Sequence, residues 1–336
     1  MENRVFIIGA GFSRAISGYM PLMGGLQTGV QSDLNSRGVE IGNDLEAIDN
    51  VEHWLTLLAD PAPWLGASEQ MRNAALFNDV SRAIYNVLTA MEIRAAVEPA
   101  PPWLLQLVAY WLRVNATVIS FNYDGLVELA YLDVTRGQGV RWPWDLFAIP
   151  VTPAWLREGG TGRQRPGAFR LLKLHGSLDW WYSGPDAEQS DPIYWLGWTG
   201  HSGEGMAPLW AEWGAEQLVE DKLPMLVPPA ATKTPFYKNR LLAAQWVQAA
   251  AALRAADELV LMGYSAPATD LTVTSLIATQ FKGKTIVPVN PDKDIIQRAK
   301  ELGDRRNMPT VDESFVSPLS PNDPSPLEKW VDTFGS

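Results

Sequence analysis

The stretch VFIIGAGFSRAISGYMP, Val5 to Pro21, decides how the rest of the chain is read. An apolar run (Val5 to Ile8) meets two glycines, Gly9 and Gly11, and a helix-forming segment follows. That order predicts a buried strand, a glycine turn and a helix start. Gly9 and Gly11 permit a tight turn and a close backbone approach. The N–H groups from Gly9 and Ala10 through Gly11, Phe12 and Ser13 would then point at whatever sits there, with the helix dipole behind them. Two readings follow: a turn that cradles phosphate, or a plain strand-to-helix connection. The spacing departs from the dinucleotide fingerprint, because the third glycine counted from Gly9 falls on Arg14. Gly18 and Pro21 break helical continuation, so a loop through Met20 and Pro21 is expected to cover the turn. Arg14 reads either as a side chain reaching a phosphate or as a solvated residue at a helix start.

Four more apolar runs end in the same way. They are NATVISFNYDG, FRLLKLHGS, DELVLMGYS and KTIVPVNPD. Short, nearly continuous apolar runs with polar or glycine ends are the pattern of buried parallel strands. The fold class expected is therefore α/β: a Rossmann-like, mostly parallel sheet with helices on both faces and a helical insertion. In an open α/β sheet the ligand crevice lies outside the carboxyl ends of the strands. GAGFS, SFNYD, LHGS, GYS and VNPD would all face it. Between the first two strands, DLEAIDNVEHWLTLLAD and SEQMRNAALFNDVSRAIYNVLTAMEIRAAV carry apolar residues at three- and four-residue spacing. This predicts a helical insertion over about 43–113. The organisation expected is one domain over 1–320 and a Pro/Ser-rich C-terminal tail over 321–336, lying on the surface.

Composition narrows the chemistry. The chain has 336 residues, 46% of them hydrophobic, and a net charge of −11. It offers no global field that attracts nucleic acid or an anionic membrane. It has no cysteine, which excludes disulfides, thiolate zinc sites and cysteine nucleophiles. No run approaches the roughly 20 apolar residues of a membrane span, so a cytoplasmic protein is the default expectation. Several of the 15 tryptophans sit in the middle third, where they are expected as apolar mass in loops.

Each strand end has a functional and a plain reading. Asn122 offers a donor and an acceptor beside Asp124, but the same pair can form an Asx turn before the helix GLVELAYL. His175 follows an apolar strand and precedes glycine. Imidazole titrates near neutrality, as a general acid or base must. The other two histidines, His53 and His201, read as structural or solvated. Gly263, Tyr264 and Ser265, and Asn290 at the last strand, could hold ribose or phosphate, or serve only as turn residues.

Taken in order, GAGFS…SGYMP, NYDGL, LHGS, GYS and VNPD resemble the sirtuin superfamily over about residues 5 to 292. They look closest to its bacterial sirtuin-like branch found in antiphage defence. The resemblance implies NAD+ as the substrate, with no metal. It implies that Asn122 meets the nicotinamide ribose, Asp124 the carboxamide and Asn290 the adenosine ribose. Ser265 belongs to the ribose–phosphate loop, and His175 is the catalytic base. It further suggests a homo-oligomer and a separately encoded partner such as a DNA-translocating ATPase. Two departures count against protein deacylation: the family's four-cysteine zinc module has no counterpart, and Phe121 stands where the family has glutamine before the asparagine. Both fit the defence branch, whose members hydrolyse NAD+ to nicotinamide and ADP-ribose. A deacylase and a non-catalytic ADP-ribose or NAD sensor remain as alternatives. A dehydrogenase fits least, since no acidic residue follows about 20 residues on in an evident second strand.

Overall fold

All five apolar runs form strands of one parallel sheet. They are β1 (Arg4–Ile8), β2 (Thr117–Ser120), β4 (Arg170–Lys173), β8 (Glu258–Met262) and β9 (Thr285–Val289). The computed structural model describes residues 3–41, 48, 50–59, 63–154, 162, 164–184, 187–197, 219–227, 236–267, 270–302 and 309–335. The sheet order is β10-β9-β8-β1-β2-β4, with β10 (Thr310–Val311) as a short sixth strand. The chain starts in the middle at β1, runs outward through β2 to β4, and returns on the other side at β8. The order therefore switches between β1 and β8, where ligands of such sheets bind. Register brings the carboxyl ends level: Ile8 lies opposite both Ser120 and Met262, Ser120 opposite Lys173, and Met262 opposite Val289.

Alternation along the strands builds two cores. Val5, Ile7, Ile119, Leu172, Leu259 and Leu261 face one way, onto α7 (Arg240–Ala255), α8 (Leu271–Gln280) and α9 (Asp294–Leu302). Phe6, Ile8, Val118, Leu171, Val260 and Met262 face the other, onto α5 (Pro102–Val114), α6 (Leu126–Val134) and α10 (Pro326–Phe334). Helices thus cover both faces, which is why the strands read as apolar throughout.

The outer side of β4 is occupied rather than open. Leu171 makes a parallel bridge to Phe147. Both backbone groups of Lys173 meet the buried amide of Gln245: its N–H donates to Oε1 at 2.9 Å, and its carbonyl accepts from Nε2 at 3.1 Å.

Between β1 and β2 stand α1 (Ala10–Ile16), α2 (Met23–Ser36), α3 (Val51–Ala59), α4 (Ala67–Ala96) and α5. Helix α2 precedes residue 43; the stretch just after 43 lies outside the described residues. Helices α2, α3 and α4 share a core of their own, including Val30, Leu34, Trp54, Leu55, Val80 and Ile84. Leu178 and Leu226 of a second sheet close it.

That second sheet has the order β3-β6-β5-β7, from β3 (Thr152–Pro153), β6 (Tyr194–Trp195), β5 (Gly176–Tyr182) and β7 (Leu223–Leu226). Several tryptophans expected in loops are here instead. Trp180 and Trp195 are fully buried, and Trp144 meets Trp195 edge-on at 4.8 Å. Trp198, His201, Trp210 and Trp213 lie outside the described residues.

The C-terminal segment also departs from its surface reading. Ser325 and Glu328 form a reciprocal capping box, with Pro326 at the first helical position, and start α10. Trp330 is fully buried and packs edge-on against Phe6 at 5.5 Å and Tyr110 at 5.6 Å.

Candidate functional site

The glycines of the first turn answer to β8. A Cβ on Gly9 would come within 2.9 Å of the Tyr264 Cα, and one on Gly11 within 2.8 Å of the Gly263 carbonyl oxygen. Gly263 has φ +57°, and a Cβ there would sit 2.1 Å from the Phe12 nitrogen. The Gly11 N–H donates to the Gly263 carbonyl at 2.9 Å. These glycines thus seat two strand ends on each other at the switch point. Phe12 points away from the crevice, edge-on to Trp103 at 5.5 Å and stacked on Trp111 at 6.2 Å, so only its backbone borders the turn. Gly9 is the N-cap of α1 and gives it no side-chain cap.

Asn122 ties the second strand end to the first. Its Nδ2 donates to the Gly9 carbonyl at 2.9 Å and to Ser13 Oγ at 2.8 Å. Ser13 Oγ in turn donates to Asp124 Oδ2 at 2.6 Å. The plain reading holds as well, since Asp124 Oδ1 accepts from the Leu126 N–H at 3.3 Å in an Asx turn leading into α6. All three side chains are buried.

Beneath this loop lies a buried group of charges that sequence reasoning missed. Lys173 Nζ donates to the Asp124 carbonyl at 2.7 Å, to Glu128 Oε1 at 2.8 Å and to the Tyr123 carbonyl at 3.3 Å. Burial pulls its ammonium down, but the charges of Glu128, Asp179 and Asp124 outweigh this and hold it above the ordinary lysine value. Glu92 Oε1 accepts from the Gly125 N–H at 2.5 Å. Burial, and then Asp179, push Glu92 well above the carboxylate range. Burial likewise lifts Asp179 to about 7, with Lys173 opposing and Glu128 and Asp124 adding to the rise. The backbone that presents Asn122 and Asp124 is thus anchored from below by groups on β4, α6 and α4.

His175 follows β4 and is buried among rings. Phe121 lies 5.0 Å away, Trp246 6.4 Å and Tyr123 6.5 Å. Phe121 also lies 5.1 Å from Tyr264, so it bridges the histidine to the end of β8. Gly176, at φ +84°, lets the chain turn sharply into β5; a Cβ there would overlap the Met225 carbonyl at 1.8 Å. His175 Nε2 stands 3.8 Å from Asp270 Oδ2. Asp270 was also missed by sequence reasoning, although its place before LTVTSLI has the form of a helix N-cap.

The remaining candidates surround this centre. Asn290 Nδ2 donates to the Tyr264 carbonyl at 3.3 Å, and its Oδ1 accepts from the Asp292 N–H at 3.0 Å. Ser265 is exposed, and its carbonyl accepts from Arg298 at 3.0 Å. Arg14 donates to the carbonyls of Gly18 and Met20, so here it pins the covering loop. Met20 is buried with Ala95, Ala96, Leu126 and Leu129, whereas its neighbours Tyr19 and Leu22 are exposed and Pro21 is half-buried. Contacts therefore link the glycine turn, Asn122, Asp124, Tyr264, Asn290 and, through Phe121, His175. Arg14, Pro21 and Ser265 stand at the margin.

No protein-family model and no curated protein matches the chain. Solved structures do. A Sir2 homologue in complex with NAD is 16% identical, covers 99% of this chain and 91% of its own, and superposes with a TM-score of 0.42. A mutant Sir2 homologue in complex with ADP-ribose is 15% identical, covers 99% and 90%, and gives 0.44. A structure described for the mechanism and regulation of Sir2 enzymes is 15% identical, covers 98% and 91%, and gives 0.41.

Proposed function

We propose that this protein is an NAD+ glycohydrolase, cleaving NAD+ to nicotinamide and ADP-ribose. The observation that carries the reading is the hydrogen-bonded relay Gly9–Asn122–Ser13–Asp124, which joins the ends of β1 and β2. It joins the glycine turn to the two side chains that the sirtuin resemblance assigns to the nicotinamide ribose and the carboxamide. Cleavage breaks the bond between the ribose C1′ and the pyridinium nitrogen, and the electron pair leaves with a neutral nicotinamide. No acid is needed for departure. The protein must hold the ring, stabilise a cationic, oxocarbenium-like ribose, and deliver water. Asp124 grips the carboxamide, Asn122 orients the ribose hydroxyls or the water, and His175 takes the proton that water loses. Asn290 and Ser265 hold the adenosine ribose and the ribose–phosphate portion. The exposed Tyr19 and Leu22 flank the covering loop, where they could close on the nicotinamide side.

The resemblance extends the proposal to an effector of bacterial antiphage (abortive infection) defence. Because NAD+ depletion is toxic, such an activity is gated, by self-association or by a separately encoded DNA-translocating ATPase.

The test is incubation of the purified protein with NAD+ alone, at several protein concentrations, with product identification. Free ADP-ribose that rises more steeply than protein concentration is expected. Asn122→Ala and His175→Ala are each expected to lower the rate by on the order of 10²–10⁴. Undiminished turnover in either variant removes that residue from the mechanism. O-acyl-ADP-ribose formed only with an acylated peptide would select a deacylase, and tight binding without turnover a sensor.

A further inference from the structure

The geometry around His175 assigns a second member to the site. We propose that Asp270 is the positioning residue for His175: its carboxylate favours the imidazole tautomer with the proton on Nε2, leaving Nδ1 as the proton-accepting atom. The inference rests on reading His175 as the proton acceptor.

Three observations lead there. Asp270 Oδ2 stands 3.8 Å from His175 Nε2, and both side chains are more than nine-tenths buried, at 9% and 8% exposure. The other oxygen, Oδ1, is taken by the Val273 N–H at 3.4 Å as the N-cap of α8. The cap therefore fixes the carboxylate so that its second oxygen is presented to the histidine. The surroundings are otherwise aromatic, with Phe121 and Trp246 on the imidazole. The titratable neighbours come from four elements: Tyr123 after β2, Tyr237 in the turn before α7, Tyr264 after β8, and Glu52 on α3. Burial, and then nearby charge including that of Asp270, raise all three phenols, so they stay neutral. Asp270 and Glu52 are the carboxyl groups among these neighbours. A carboxylate facing one ring nitrogen sets the tautomer and stabilises the imidazolium formed when the other nitrogen accepts a proton.

The chain has only three histidines, which makes the test direct. Histidine-selective 15N labelling of the full chain reports tautomer and titration midpoint, and loss of one signal in His175→Gln assigns His175. The wild type is expected to show the Nε2–H tautomer. Asp270→Asn keeps an N-cap residue and is expected to lower the His175 midpoint by about one pH unit or more, leaving His53 and His201 in place. In turnover it is expected to cut kcat by on the order of 10²–10⁴ with KM little changed, while Asp270→Glu recovers part of the loss. A wild-type Nδ1–H tautomer, or an unchanged midpoint in Asp270→Asn, overturns the proposal. These readouts need no substrate, so an absence of NAD+ cleavage would sink the proposed function and leave this question to be answered by the spectra.

Discussion

Lys173→Met should be the most damaging single change to the floor of the site. The ammonium is almost wholly buried, and its three protons have three acceptors: the Glu128 carboxylate and the carbonyls of Tyr123 and Asp124. Methionine keeps the length and apolar stem of lysine but supplies none of those bonds. Glu128, itself buried, would lose its counter-charge, and two carbonyls in the loop that carries Asn122 would lose a donor. Removing one partner of a buried ion pair costs about 3–5 kcal/mol, since the stranded charge is the expensive part. The prediction is a loss of that size in urea unfolding, with faster hydrogen exchange at the amides of residues 121–126. Lys173→Met combined with Glu128→Leu removes the stranded charge and should recover part of the loss; the Tyr123 carbonyl keeps the Ser177 hydroxyl at 3.1 Å and the Leu178 N–H at 3.0 Å, so the remainder is the Asp124 carbonyl deprived of its lysine donor, about 1–3 kcal/mol. A single variant within about 1 kcal/mol of wild type, or a double variant worse than the single, would refute the reasoning.

Two further changes test the surrounding structure. Gly263→Ala places a methyl group at φ +57° and 2.1 Å from the Phe12 nitrogen. Since the obstacle is backbone, the junction of β1 and β8 must open, and a loss of several kcal/mol in thermal unfolding is expected, whereas Gly18→Ala, which meets nothing within 4 Å, should be near neutral. Asp179, lifted to about 7 from an ordinary 3.8, binds more protons folded than unfolded between those values. Its stabilising contribution is complete below about pH 4 and is lost as pH rises to about 7. Asp179→Asn should therefore flatten stability across that window and be more stable than wild type at pH 8; equal slopes in both proteins would contradict the placement of that proton.

The main sheet was legible because strands buried on both faces are apolar at nearly every position, so VFII, TVIS, RLLK, ELVLM and TIVPV stand out without any alternation. The second sheet was not, because two of its strands are only two residues long and the pairing of β5 with β7 shifts register between Gly176 and Trp181. No period of two survives in such pieces, and the tryptophans there read as loop residues. Helix α8 was obscured by its Thr, Val and Ile content, which favours strands. The C-terminal helix had a readable signal, the S-x-x-E of Ser325 and Glu328, behind a proline-rich lead. The strand-end motifs placed Asn122, Asp124, His175 and Asn290 at the ends of the right strands. What could not be read were their supports. Lys173 is one charge in an apolar run, and Glu92, Glu128 and Asp179 lie on three different elements. Only the folded chain shows that they meet. The glycine turn was read as space for a phosphate, while the structure gives Gly9 and Gly11 a second duty against Gly263 and Tyr264.

The occupied flank of β4 has a consequence for assembly. A sheet normally advertises its outermost strand to any passing chain, and proteins blunt that invitation to avoid unwanted strand addition. Here Phe147 takes Leu171, and the Gln245 amide takes both backbone groups of Lys173. At the opposite end, β10 offers only two residues. A second copy of this protein therefore finds little ladder to extend at either margin of the main sheet. Among the described residues, the margins of the main sheet are thus a poor place for one copy to join another by strand addition.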